Sequence, residues 1–200
     1  MTALIRRTFA RFIIVLAGAA LLAGCEKAPA FKNLDITGNT QFGSNFSLPD
    51  TTGKARTLGD FKDKAVVLFF GYTHCPDVCP TTLAELSQAL QQLGPDAKRV
   101  QVLMVTVDPA RDTPELMKTY LSSFDPRIVG LSGTEEEIAA AARAYKIYYR
   151  KVPAEGQDYT MDHSATLFLM DGKGEFYGTS NFQEPEETRR SKLRQLIKNG

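Results

Sequence analysis

Ala65-Val66-Val67-Leu68-Phe69-Phe70 is unbroken by any polar residue, so no outer face is marked. Such a run is expected of a central strand covered on both sides. The period then changes: Leu83, Leu86, Leu90 and Leu93 recur at helical spacing after Pro80, predicting a helix that Gly94-Pro95 stops. Val100 to Val107 reads as a second buried strand, ended by Asp108-Pro109. Thr113 caps a helix with Pro114 at its first position, running to about Phe124. A short strand near Ile128 precedes Thr134-Glu135-Glu136-Glu137, a capping box that opens an Ala-rich helix to about Tyr145.

Ile147 to Val152 alternates in strand fashion, and Ala165 to Met170 is a further strand. Asp171-Gly172-Lys173-Gly174 turns the chain back into Glu175-Phe176-Tyr177. Pro185 to Lys198 predicts a closing amphipathic helix. Before the first long strand, Phe46-Ser47-Leu48 and Asp50-Thr51-Thr52-Gly53-Lys54 predict a short hairpin, with Leu58 to Asp63 as connector. Strands alternating with helices argue an α/β fold with a final antiparallel hairpin.

The first residues follow another pattern. Arg6, Arg7 and Arg11 precede an apolar stretch from Phe12 to Leu22, too short for a comfortable membrane span. The stretch ends in Leu22-Ala23-Gly24-Cys25, similar to the bacterial lipobox, in which the cysteine is diacylated and becomes the new N-terminus. Residues 1–25 are therefore expected to be a lipoprotein signal peptide, exported by the general or the twin-arginine route. Residues 26–41 form a tether, and residues 42–200 form the domain. That places the domain in the bacterial cell envelope, lipid-anchored to the membrane through Cys25 and facing the periplasm or extracytoplasmic space.

Charge narrows the partners. The chain carries 24 Lys and Arg against 23 Asp and Glu. Its first 25 residues hold three arginines and no acid, which leaves 21 basic against 23 acidic and a net charge of −2. A near-neutral domain has no electrostatic footprint for nucleic acid.

Three cysteines then divide into one for lipid and two, Cys75 and Cys79, for chemistry. Each precedes a proline, and proline disfavours helical geometry in the residue before it. Cys79 is therefore expected at the helix cap, its sulfur ionised by the positive end of the dipole. Cys75 falls on the preceding loop, at the carboxyl end of a buried strand, where open α/β sheets place their chemistry. Cys-x-x-x-Cys suits dithiol redox chemistry or a soft metal ion, and spacing alone leaves both open. The chain has two histidines. His74 adjoins Cys75 and reads as a polar loop residue; His163 sits in Tyr159-Thr160-Met161-Asp162-His163-Ser164, a loop just before an apolar strand.

Gly71-Tyr72-Thr73-His74-Cys75-Pro76-Asp77-Val78-Cys79-Pro80, Val107-Asp108-Pro109-Ala110-Arg111-Asp112-Thr113-Pro114 and Asp162-His163-Ser164 occur in this order. With them the chain resembles the Sco/SenC family, copper chaperones for cytochrome c oxidase assembly, from about Phe42 onward. The resemblance implies a thioredoxin-like three-layer sandwich, its central mixed sheet flanked by helices, with an N-terminal hairpin extension. In that fold the His163 loop faces the cysteine loop, and redox members carry a cis-proline there. No proline lies between Pro153 and Pro185. The resemblance further implies that Cys75, Cys79 and His163 bind one copper, Cu(I) or Cu(II). It also implies delivery of that copper to the copper-A site of oxidase subunit II or another copper-site protein, after receipt from an upstream donor. A thiol–disulfide oxidoreductase in which Cys75 and Cys79 reduce that site's cysteines is the alternative. Asp108 is a candidate support for the site, against a loop-and-cap role for its whole segment. Cys79-Pro80-Thr81 is superficially similar to peroxiredoxins, but Pro76 and Tyr72 stand where their threonine would be.

Overall fold

The computed structural model describes residues 46–154, 156–181 and 183–199. Its elements run in chain order. A short hairpin, β1 (Leu48–Pro49) and β2 (Ala55–Arg56), leads through a single helical turn, Leu58–Phe61, to β3 (Ala65–Gly71). Next come α1 (Val78–Leu93), a turn over Gly94–Arg99, β4 (Val100–Thr106), α2 (Pro114–Leu121), β5 (Ile128–Leu131) and α3 (Glu135–Ala144). Then β6 (Tyr149–Ala154), β7 (Gln157–His163), β8 (Thr166–Met170), β9 (Phe176–Asn181) and α4 (Glu186–Asn199) complete the domain.

Five strands form the central sheet in the order β5-β4-β3-β8-β9. The β3–β4 and β4–β5 pairs are parallel, and β8 and β9 add antiparallel. The apolar run explains why β3 is central. Val66, Leu68 and Phe70 enter one core with Ile138, Ala142 and Tyr145. Ala65, Val67 and Phe69 enter the other with Leu83, Leu86 and Leu90 of α1 and Leu193 and Leu196 of α4. A strand shared by two cores has no polar face to show, and all seven of its residues are buried. The layers are those of the thioredoxin-like sandwich.

The caps expected at Thr113 and Thr134 form. The Thr113 side chain accepts from the Leu116 N–H at 3.2 Å, and Thr134 and Glu137 make the reciprocal capping box. His163 is not on the expected loop. It closes strand β7, which pairs with β6 as a separate two-stranded sheet, Tyr149 opposite His163. The polar face of this hairpin hid the strand, because it is not covered by the main core. The predicted signal peptide, tether and Cys25 lie outside the described residues. Among the described residues no helix is long and apolar enough to cross a membrane.

Candidate metal centre

Where β3 ends, the chain passes through Tyr72 to Pro76 and enters α1. The helix N-cap is Asp77, without a side-chain hydrogen bond, so Val78 is the first helical residue and Cys79 the second. This corrects the expected cap position of Cys79. Pro80 is tolerated at the third position because the first four N–H groups of a helix have no partner to lose. One of those orphan donors, the N–H of Cys79, points at the sulfur of Cys75 at 3.4 Å. Cys75, on the loop, thereby occupies the anion position at the helix N-terminus.

The two sulfurs are consequently unequal. Cys75 is half-buried and its pKa is lowered to about 3, chiefly because the Cys79 thiol donates to it, against an opposing contribution from burial. The N–H groups of Asp77 and Cys79 add to the lowering. Cys79 is 1% exposed. Its thiol is pushed far up by donating to Cys75, by burial, and by the charge on Cys75. The helix N-terminus thus favours an anion on Cys75 and not on Cys79. No disulfide joins the two.

His163 completes the cluster. One ligand atom from each of Cys75, Cys79 and His163 lies within 4.8 Å of the other two. His163 Nε2 is 3.7 Å from Cys79 Sγ, and its Nδ1 is 3.0 Å from the Ser164 carbonyl oxygen. A carbonyl can only accept, so Nδ1 donates to it and Nε2 is the nitrogen left facing the sulfurs. The buried Tyr72 ring meets His163 edge-on, centroids 5.7 Å apart. Two soft sulfurs, one of them buried, and one imidazole fit a soft monovalent or borderline metal ion. His74, by contrast, faces Thr73 and Asp112 and is not part of the cluster.

The Asp108–Pro114 segment, whose role the sequence left open, joins the pieces. Fully buried Asp112 accepts from the hydroxyls of Thr73 and Thr106, each at 2.6 Å, and from the Thr73 N–H at 3.1 Å. It ties the cysteine loop to the end of β4. Asp108 accepts from Arg111 and, at 2.8 Å, from the Tyr159 hydroxyl. Asp108 touches none of the three candidate ligands directly. The sequence motif marked this segment, but its partners lie 39 and 51 residues away, at Thr73 and Tyr159, where no local pattern points.

Close packing at the site makes Gly71 restrictive. A Cβ there would lie 2.9 Å from Cys79 Sγ and 3.0 Å from Phe69 Cε2. Gly71→Ala is therefore expected to cost about 1–3 kcal/mol of stability by overpacking. Denaturant unfolding of the reduced chain measures it, and an unchanged midpoint would show that the cysteine loop yields freely.

Fold and site together define a thioredoxin-like domain that presents two cysteines and a histidine at the carboxyl end of its central strand. The SCO1/SenC family model matches residues 35–198, and the chain belongs to that family. It is 45% identical over 135 residues to the mitochondrial SCO2 homolog of Bos taurus, covering 66% of this chain and 51% of that protein. The chain thus spans about half the length of the curated relatives it matches. Among solved structures, copper-bound ScoI of Bradyrhizobium japonicum superposes with a TM-score of 0.72 at 48% identity, covering 78% of this chain and 99% of that one. Copper-bound yeast Sco1 gives 0.73 at 36% identity, covering 80% and 90%.

Proposed function

We propose that this chain is a copper metallochaperone of the cell envelope. In this reading it binds one copper ion through Cys75, Cys79 and His163. It delivers the ion to, or prepares, the copper-A site of cytochrome c oxidase subunit II or a similar acceptor. The single observation that carries the reading is the convergence of the three donor atoms within 4.8 Å. Thiolates select Cu(I), and a neutral imidazole suits it as third ligand. Half-buried Cys75 gives an incoming donor or acceptor thiol a place to attack, while fully buried Cys79 and half-buried His163 hold the ion from behind. The Leu22-Ala23-Gly24-Cys25 segment supports a lipid anchor that keeps the domain at the membrane surface.

Titration of the reduced chain with Cu(I) against a chelator of known affinity tests this. His163→Ala is expected to weaken binding by about a hundredfold, roughly 2.7 kcal/mol, and to remove the nitrogen ligand from the X-ray absorption spectrum. Unchanged affinity and coordination would eliminate the three-ligand site.

The inequality of the thiols favours a second reading, reduction of the acceptor's cysteines. A low-pKa, accessible Cys75 is suited to attack a disulfide, with Cys79 as the resolving thiol. Oxidase assembly by His163→Ala separates the two. Assembly at the parental level would favour thiol exchange, and its loss would favour copper delivery.

A further inference from the structure

The hairpin that carries His163 is not paired into the five-stranded sheet; His163 ends β7 at the hairpin's base, just before β8 begins at Thr166, and the remainder of the hairpin needs anchors of its own. Its attachments are few. Met161 is buried in the core, and the hydroxyls of Tyr72 and Thr160 bond at 2.7 Å. Lys151 of β6 pairs with Glu135 at 4.0 Å, and a further set of contacts converges on Tyr159. Its hydroxyl donates to Asp108 Oδ1 at 2.8 Å, and its carbonyl accepts from Arg111 Nη1 at 2.9 Å. The Arg111 guanidinium lies 3.7 Å above the Tyr159 ring and 6.0 Å from the centre of the Tyr72 ring. Arg111 is itself paired with fully buried Asp108.

One planar cation is thus bonded to a fixed carboxylate, stacked on one tyrosine and bonded to that tyrosine's backbone. Tyr159, Met161 and His163 are alternate residues of β7 and share one face. From Tyr159 to His163 is about 14 Å of extended strand, stiff enough to transmit a displacement.

We propose that Asp108, Arg111 and Tyr159 form a latch that positions His163 against the two cysteines. They are positioning residues and do not touch the metal. The consequence for copper rests on the metallochaperone reading; the consequence for the His163 ring does not. With the latch made, Nε2 stands ready as third ligand. With it broken, β7 loses its fixed position on the far side of His163, and the ring is no longer held in place against the two sulfurs.

The test uses Tyr159→Phe, which keeps the ring under Arg111 and removes only the hydroxyl, and Arg111→Lys, which keeps the charge beside Asp108 but loses the planar stack. In the copper-free, reduced full chain, ring resonances of the two histidines are compared by NMR. The latch predicts that His163 shifts or broadens in both variants while His74 stays put. Cu(I) affinity is expected to fall by about tenfold to a hundredfold, as for other partners that orient a ligand. In a His163→Ala background the same latch substitutions are expected to change affinity less than about twofold, because the ligand they position is gone. Equal losses with and without His163 would overturn the proposal, as would parental His163 resonances in either variant. Should Tyr159→Phe not fold, Arg111→Lys alone decides between these outcomes. A parent chain that takes up no copper would defeat the metallochaperone reading and leave the NMR comparison intact.

Discussion

Serine in place of Cys75 is expected to weaken Cu(I) binding to the reduced chain by at least about a thousandfold, ~4 kcal/mol. A hydroxyl is a hard, neutral donor at any pH the fold tolerates, whereas Cu(I) favours soft thiolates. The substitution also puts a neutral hydroxyl where the Cys79 N–H now faces a sulfur at 3.4 Å, removing the anion from the helix terminus. Serine at Cys79 is expected to abolish tight binding as well, because one thiolate and one imidazole make a poor Cu(I) site. Chelator competition followed in the cuprous absorption bands measures both. Parental affinity in either serine variant would remove that sulfur from the site.

The second large effect concerns protons. With its pKa lowered to about 3, Cys75 is ionised at neutral pH; Cys79, with its pKa raised, keeps its proton there. Reduced, copper-free protein treated with iodoacetamide is therefore expected to label at Cys75 first. The pH dependence has a definite sign. Reactivity of Cys75 stays nearly level from about pH 8 down to about 5, where an ordinary thiol would lose most of its thiolate, and falls only as pH approaches about 3. Binding Cu(I) through both sulfurs then has to expel the Cys79 proton alone. Calorimetry at about pH 7 in buffers of different ionisation enthalpy is expected to report release of about one proton per copper. Release of two would mean that both thiols are protonated in the free protein. Preferential labelling of Cys79 would reverse their assignment.

Much of this is legible from the chain. The unbroken run Ala65 to Phe70 announces a strand between two cores, and the leucine spacing after Pro80 announces the helix beneath the site. Thr113 and Thr134 mark helix starts because capping is local chemistry. The three-residue cluster follows only through the family resemblance that the motifs and their order carry. Which sulfur is activated does not follow. Proline rules move Cys79 to the cap, while the helix begins two residues earlier than they predict and lends the Cys79 N–H to Cys75. Strand β7 is also hidden, since its partner is a polar hairpin strand and not an apolar sheet. The meaning of Asp108, Arg111 and Asp112 lies in contacts across 39 to 51 residues, which no window of sequence displays.

Two of the three donors stand at the junction of the central strand with its helix, and the third stands on a hairpin outside that sheet. Occupancy of the site and docking of the hairpin are then one linked equilibrium. Whatever free energy docking adds to metal affinity, the metal returns to docking in equal measure. A partner that grips the hairpin would read, through that reciprocity, whether the ion is present, and, by pulling the hairpin off, would lower the site's affinity for the ion.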